Sequence, residues 1–546
     1  MSAGRSRHRR TGRTGAVVLA VALGGCGALP FAGPARPAVP RFADEASAAG
    51  VTHAYDGEAD YFVGGGVAVT DCDDDGFPDL YLAGGTAPAA LYRNVGSRGG
   101  PLRFERLASR VTDLASVTGA YPLDVDGDGR GDLAVLRLGA SVLLRGLGGC
   151  RFEDATAALG LPRDAAWTTA FAATWEPGAR LPTLAFGRYR VPGTLDCDAN
   201  ALVRPDGDGY GPPAALPAHC TLSLLFSDWD RTGRRDLRVS NDRNYDRAAV
   251  EQLWALEPDT PPREYGAADG WRPLTIWGMG IASQDLTGDG RPEVYLTSQG
   301  DQKLQTLEDD ASGPTYRDVA LARGVTAHRP YAGGDVLPST GWHAEFDDVN
   351  NDGWMDLFVA KGNVEAQVDY AAVDPNNLLL GRADGTFVES GHRAGIATAH
   401  RSRGAALVDL NLDGLLDLVV VNRRVPVELW RNLGAGTDNA PAPLGRWLAV
   451  RPLQPAPNPD AVGAWVEVRT GGEGGRVVAR EVTVGGGHAS GERGWVHVGL
   501  GDATRAEVRV GFPGTPPGPW LAVEADRFVV VERGATAAVV WSPPGG

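Results

Sequence analysis

Lysine is nearly missing from this chain, cysteine is scarce, and no long apolar run follows the first two dozen residues. Lysine stands only at Lys303 and Lys361, so arginine carries almost all of the positive charge. Acidic residues outnumber basic ones by 68 to 52, for a formal charge of −16. That balance argues against a nucleic-acid partner, whose phosphates demand a basic face. Catalytic signatures are absent as well: there is no Gly-x-Ser-x-Gly elbow, no His-Glu-x-x-His pair and no Gly-x-x-x-x-Gly-Lys-Ser/Thr loop. An enzyme is therefore the less favoured class, and no catalytic residue is assigned. No long amphipathic helix stands out, whereas glycine is abundant at 75 residues, as short strands joined by tight turns require.

What is present is a repeat. An acidic phrase with oxygen side chains at positions 1, 3, 5 and 9 and glycine at position 6 recurs along the chain. Its fullest copies are Asp71, Asp73, Asp75 and Asp79; Asp124, Asp126, Asp128 and Asp132; Asp285, Thr287, Asp289 and Glu293; Asp348, Asn350, Asp352 and Asp356; and Asp409, Asn411, Asp413 and Asp417. A hard cation takes six to eight oxygens, and alternate side chains of a tight loop can supply them. An EF-hand is excluded, because position 12 is Leu82 in the first copy and Val135 in the second, and the flanks read as strands. Asp, Asn and Gly are ordinary turn formers, but five aligned copies, each followed by an apolar strand, predict about five Ca2+ sites of structural character.

The loops begin at 71, 124, 228, 285, 348 and 409. The copy at Asp228 is half eroded, and the long gap before it has room for one more unit, in which Trp175 to Leu184 aligns with every ligand lost. Seven units of this length, with secondary phrases at Leu91–Asn94 and Leu429–Asn432 and strand openers at Phe104, Phe152, Tyr316 and Phe387, predict an all-β, seven-bladed β-propeller over 41–435. The segment from Arg41 to Ala54 is expected to help close the ring. Residues 445–546 read as a small all-β domain, with strands over Trp447–Val450, Ala464–Val468, Val477–Val484, Val496–Val498, Ala506–Val510, Phe528–Val531 and Ala537–Val540.

The start of the chain reads as a leader. Arg5, Arg7, Arg9, Arg10 and Arg13 precede the apolar run Ala16–Leu23, which is too short to span a membrane. It ends in Leu23-Gly24-Gly25-Cys26, which resembles the lipobox of bacterial lipoproteins. The expectation is a signal peptide over 1–25, lipidation of Cys26, a Pro/Ala-rich tether over 26–40 and a lipid anchor as the only membrane contact. The mature chain would then sit on the outer face of the cytoplasmic membrane or in the cell envelope. Four cysteines remain, and an exported chain permits disulfides. Cys197 and Cys220 flank a Pro/Gly/Ala-rich excursion and form the candidate pair; Cys72 with Cys150 follows only by elimination.

From Gly341 to Asn432 the phrases become more specific: Trp342, His343 and Glu345, then Asp374-Pro-Asn376-Asn377, Arg403-Gly-Ala-Ala406 and Asn422-Arg-Arg424. After them come Gly485-Gly-Gly-His488-Ala-Ser490 and Val498-Gly-Leu-Gly501. This order resembles the bacterial relatives of cartilage acidic protein, with FG-GAP/VCBS repeats over about 45–435 and an ASPIC/UnbV domain over about 445–512. The resemblance implies a calcium-bound propeller of the integrin α type with an adhesion role towards a protein or glycan at the cell surface. A second setting, also implied by resemblance, is an accessory or catalytic protein in exported metabolite (enediyne-type) or glycan biosynthesis. For that reading Trp342, His343, Glu345, Asn376 and Asn377 are a candidate ligand site, against the plainer reading that they brace the neighbouring loop. His488 reads as a turn residue, and the tryptophans read as core.

Overall fold

The computed structural model describes residues 37–242, 250–309, 311–437 and 439–543. The signal peptide, Cys26 and most of the tether therefore lie outside the described residues. The two α-helices described, Ala320–Arg323 and Gly391–Ala394, are single turns, and the chain is otherwise nearly all β.

Each repeat contributes four antiparallel strands whose first hairpin carries the loop phrase at its tip, the second and third repeats being joined where Ala166 and Trp167 pair with Gly139 and Leu138. These hairpins are Val67–Thr70 with Asp79–Leu82, Val117–Leu123 with Asp132–Gly139, Ala166–Thr174 with Thr183–Arg188 and Thr221–Ser227 with Asp236–Asn241. Gly278–Gln284 with Glu293–Ser298, Gly341–Asp347 with Asp356–Lys361 and Ser402–Val408 with Asp417–Asn422 follow. First strands such as Val67–Thr70 and Thr221–Ser227 are buried at every position, which is why they read as continuous apolar or small runs rather than alternating ones. Outer strands are more exposed, as where buried Phe104 precedes exposed Glu105 and Arg106. The hairpin at Trp175 forms although positions 1, 3, 5 and 9 of the phrase have lost their acids.

First strands of successive sheets touch one another, and Ser402–Val408 touches Val67–Thr70. The sheet of Ser402–Val408 draws its outermost strand from the other end of the chain: Phe42–Asp44 pairs antiparallel with Glu428–Asn432, Phe42 opposite Asn432. Two disulfides, Cys72–Cys150 and Cys197–Cys220, add covalent ties, the first between one hairpin loop and the following sheet.

Residues 446–541 form two further sheets that share one apolar core of Leu448, Val450, Val466, Val468, Val508 and Val529. The strand predicted over Val477–Val484 stops at Glu481. From Val484 to Glu492 the chain instead enters the space among the first strands. Gly486 N–H donates to Leu224 O at 2.6 Å and Gly487 N–H to Ile281 O at 2.7 Å, while Ala489 O accepts from Ala120 at 3.2 Å. Val67 N–H donates to Ser490 Oγ at 3.1 Å, and Gly491–Glu492 runs parallel to Ala68–Val69. Glycine at 66 and 119 makes this possible, since a Cβ at either would collide with Ala489 O.

Candidate metal centres and a buried polar junction

The acid loops share one internal frame. The position 1 carboxylate accepts the position 6 N–H: Gly76 to Asp71 at 2.9 Å, Gly129 to Asp124 at 2.8 Å, Gly290 to Asp285 at 2.9 Å, Gly353 to Asp348 at 2.6 Å and Gly414 to Asp409 at 2.7 Å. These glycines sit at φ of 85 to 90°, where a side chain would be strained. At position 5, Asp75, Asp128, Asp289, Asp352 and Asp413 each accept the N–H two residues on. The position 9 carboxylate opens the second strand and accepts the position 2 N–H as well as a donor from the third strand. For Asp79 these are Cys72 and Asn94, both at 2.8 Å; for Asp417 they are Leu410 at 3.1 Å and Asn432 at 2.8 Å. Glu293 replaces the second of these donors with the Thr306 hydroxyl at 2.7 Å.

In the first two loops this frame brings the carboxylates of positions 1, 3 and 9 together. Oxygens of Asp71, Asp73 and Asp79 lie within 4.8 Å of one another, as do those of Asp124, Asp126 and Asp132. Burial, reinforced by the neighbouring carboxylates, pushes Asp71 and Asp124 up to about 6, Glu293 to about 7 and Asp79, Asp132 and Asp409 to about 8. The same causes hold Asp348, Asp356 and Asp417 well above the carboxylate range. Two position 3 oxygens, Asp73 Oδ1 and Asn411 Oδ1, are buried with no hydrogen-bond partner, and Asn411 is only 2% exposed. An all-oxygen donor set with excess negative charge and orphaned acceptors fits a hard divalent cation, which would supply the missing positive charge. Thr287, the variant at position 3, is exposed. Asn350 directs its amide N–H to Ala38 O and Asp352 Oδ2 and its Oδ1 to Asp352 N–H.

The eroded copies answer the same electrostatic problem internally. Asp236, at position 9 of the Asp228 loop, accepts the Trp229 indole N–H at 2.9 Å, the Tyr265 hydroxyl at 2.7 Å and Arg234 Nε at 3.1 Å. In the loop after Ala166–Thr174, Glu176 takes Arg204 Nε at 2.7 Å and the Thr183 hydroxyl at 2.6 Å.

The polar set around Trp342 divides. Trp342 is fully buried, its indole donates to Gly362 O at 2.7 Å, and its ring lies between the Arg403 guanidinium (3.9 Å) and the His488 imidazole (5.1 Å). Asn376 accepts from Lys361 N–H and Asn377 faces Glu389 of the outer strand, so both serve the sheet. His343 and Glu345 instead face the C-terminal segment. His343 Nε2 lies 3.4 Å from Glu345 Oε2, and its Nδ1 accepts the His488 N–H at 3.1 Å. With Arg480, Ser490 and Glu492 they line a cavity of about 170 Å3. Burial, then Glu345 and Asp347, hold Glu492 far above its ordinary value, and burial with Arg403 and His343 lowers His488 to about 3. Sequence reasoning missed Arg480 and Glu492 and took His488 for a turn residue. The only signal was the triple glycine before His488, which marks close approach as well as a turn.

With this geometry in view, the relatives can be placed. The profile of the FG-GAP-like repeat matches residues 71–135 and 348–420, and that of ASPIC and UnbV matches 454–538. The chain carries FG-GAP repeats and an ASPIC/UnbV domain. Cartilage acidic protein 1 of Mus musculus is 30% identical over 172 residues, covering 29% of this chain and 23% of the relative. The Homo sapiens protein is 30% identical over 164 residues, covering 28% and 22%. The homology is distant, and this chain spans less than a quarter of either relative. Among solved structures, BBS1N in complex with ARL6DN has a TM-score of 0.40 at 11% identity, covering 72% of this chain and 96% of that one. An Agrocybe aegerita protein described as recognising non-reducing terminal N-acetylglucosamine has a TM-score of 0.38 at 16% identity, covering 65% and 88%. Both FG-GAP matches fall on stretches that begin and end with acid loops, and the ASPIC/UnbV match contains the glycine-rich axial segment. No helix among the described residues is long and apolar enough to cross a membrane.

Proposed function

We propose that this protein is a calcium-binding, lipid-anchored, extracytoplasmic seven-bladed β-propeller of the integrin α type, acting as a binding or adhesion module. The carrying observation is the set of five loops whose buried position 1 and position 9 carboxylates make no ion pair among the described residues, the pairs of Asp128 with Arg130 and Asp126 with Arg145 lying at positions 5 and 3, beside two repeats in which Arg234 and Arg204 meet the buried acid directly. Calcium would neutralise each cluster and stiffen its hairpin, making the ring a rigid platform. The C-terminal segment lies over the loop-bearing ends of the sheets, where His497 and Trp447 meet the loops at Asn351 and Gly414. Contacts with a protein or glycan ligand then fall at the opposite strand ends, where Val336 (68% exposed) and Val368 (85% exposed) stand in the long connections after Tyr316–Asp318 and Asp356–Lys361. Calorimetric titration of a soluble form starting at Gly27 is expected to give about five calcium ions per chain, and saturation without calcium uptake would sink the reading. Anchoring is checked separately by membrane fractionation of the chain and of Cys26→Ala, which is expected to release it.

A second reading rests on the cavity lined by His343, Glu345 and Glu492, where an imidazole and two glutamates meet at a solvent-reachable junction. It would make the chain an accessory or catalytic protein for an exported metabolite or glycan. His343→Ala combined with Glu345→Ala is its test: cellular activity unchanged, with the calcium loops still filled, removes the proposed site.

A further inference from the structure

The acid loops have two sides. Positions 1, 3 and 9 carry the carboxylate clusters of the first two loops, and residues at positions 4, 7 and 8 of several loops turn towards residues 446–543. Leu412 at position 4 packs with Trp447, Ala449 and Phe528, and Phe77 at position 7 lies against the same group. Met355 at position 8 belongs to the apolar core of the C-terminal sheets, and Leu286 at position 2 packs on it. Asn351, at position 4, accepts the Gly501 N–H on its carbonyl at 2.8 Å and meets His497 Nε2 through Oδ1 at 2.6 Å. Gly445 N–H donates to Asn350 O at 3.0 Å, and Arg493 reaches Gly129 O at 2.9 Å.

The half-eroded loop docks differently. Arg231 pairs with Glu467 at 2.7 Å and stacks on Trp465 at 3.9 Å; Arg235 donates to Gly463 O at 2.6 Å; Glu481 accepts the Asp228 N–H at 3.0 Å. These are direct ion pairs and hydrogen bonds that need no added charge. The two C-terminal sheets therefore divide their supports unequally. Arg446–Leu453, Val496–Gly501, Arg527–Glu532 and Val539–Trp541 lie on the acid loops; Val477–Glu481 lies against the acid loops at 285 and 348 as well as the eroded one; and Trp465–Arg469 is held to the eroded one through Trp465 and Glu467.

We infer that the acid loops are the docking platform of one C-terminal sheet, and that cation occupancy of those loops sets how firmly that sheet is held. The inference rests on the calcium reading above, which has its own support in the orphaned Asn411 Oδ1, 2% exposed at position 3 of the 409 loop. The physical link is short. Without a cation the clustered carboxylates repel and the loop loosens; Leu412, Phe77, Met355 and Asn351 sit between the ligands, so their contacts loosen with it. Nothing comparable loosens at Asp236, whose carboxylate is already met by Arg234 and Tyr265.

Hydrogen exchange of the full chain, read peptide by peptide in calcium and in chelator, tests this. Exchange over Arg446–Leu453, Val496–Gly501 and Arg527–Glu532 is expected to speed up at least about tenfold on chelation, with Trp465–Arg469 changed less than about twofold. Equal change in both sheets, or none, while titration of the same sample shows calcium uptake, overturns the inference and leaves the calcium reading standing. Absence of calcium uptake overturns both. Leu412→Ala gives a second route that touches no ligand oxygen: it is expected to weaken protection of Arg446–Leu453 at unchanged calcium stoichiometry, and unchanged protection there would also overturn the inference.

Discussion

The loops Asp409–Asp417 and Asp228–Asp236 have one backbone and two electrostatic solutions. Position 4 is left-handed in both, with φ of 56° at Leu412 and 59° at Arg231, and position 6 is a glycine at 86° in both. In both, the first aspartate accepts the glycine N–H. They part at position 9. Asp417 has two backbone N–H groups and other carboxylates for company, whereas Asp236 has an indole, a phenol and a guanidinium. The hairpin therefore does not need the cation in order to turn. On the calcium reading a cation would answer the charge that the loop carboxylates create, and the repeats without those carboxylates meet their buried acids with side chains from elsewhere in the fold.

The strongest way to break this comparison is to remove divalent cations. Saturating calcium at 1,000 times its Kd would contribute about 4 kcal/mol per site, so chelation is expected to lower the unfolding temperature by more than about 10 °C in a calorimetric scan. An unchanged temperature would mean that the acid loops are as self-sufficient as the eroded one. Next in size is Asp417→Ala, which strands the Leu410 and Asn432 N–H groups and is expected to cost about 3 kcal/mol and one calcium ion. Asp236→Ala is expected to destabilise as well but to leave the calcium count unchanged. Loss of an ion there would erase the distinction.

The response to pH should separate the two solutions further. Asp79, Asp132 and Asp409 titrate near 8 in the folded chain, against about 3.9 unfolded. The folded state then holds protons that the unfolded state has released, so the stabilising contribution is fully present below about pH 4 and is lost as pH rises towards 8. Calcium-free protein is expected to melt lower at pH 8 than at pH 5. Bound calcium should cancel or reverse that slope, because it competes with protons for the same oxygens. Parallel slopes with and without calcium would contradict the assignment. The smallest effect is constructive. Thr232→Asp with Trp229→Val and Arg234→Gly restores the acid phrase at 228–236 and is expected to add one weak calcium site by titration.

Most of the repeat architecture is legible because its causes lie close together in the chain. Phe104, Phe152, Tyr316 and Phe387 each open a fourth strand; at the first three a buried aromatic followed by exposed polar residues is a local pattern, while Phe387 is half-buried and precedes Val388. The hairpin at Trp175 can be placed from its spacing even without acids at positions 1, 3, 5 and 9. The extent of the strand beginning at Val477 was not legible. Thr483 and Val484 continue its apolar rhythm, but the ring draws Val484 into pairing with Ala173. The candidate ligand set fared unevenly for the same reason. His343 and Glu345 reach the C-terminal cavity, while Asn376 and Asn377 are taken up by their own sheet.

What the sequence determined by itself was the nine-residue loop: which positions carry oxygen side chains, where glycine must stand, and that strands flank it. Those features depend on torsions and hydrogen bonds within one hairpin. Only the tertiary structure decided where the charges are answered. Arg204 and Tyr265 reach Glu176 and Asp236 from other strands of their sheets, His488 enters the axis from the far end of the chain, and residues 446–543 settle on the loops. Burial and Coulomb attraction act between groups that are near in space, whatever their separation along the chain.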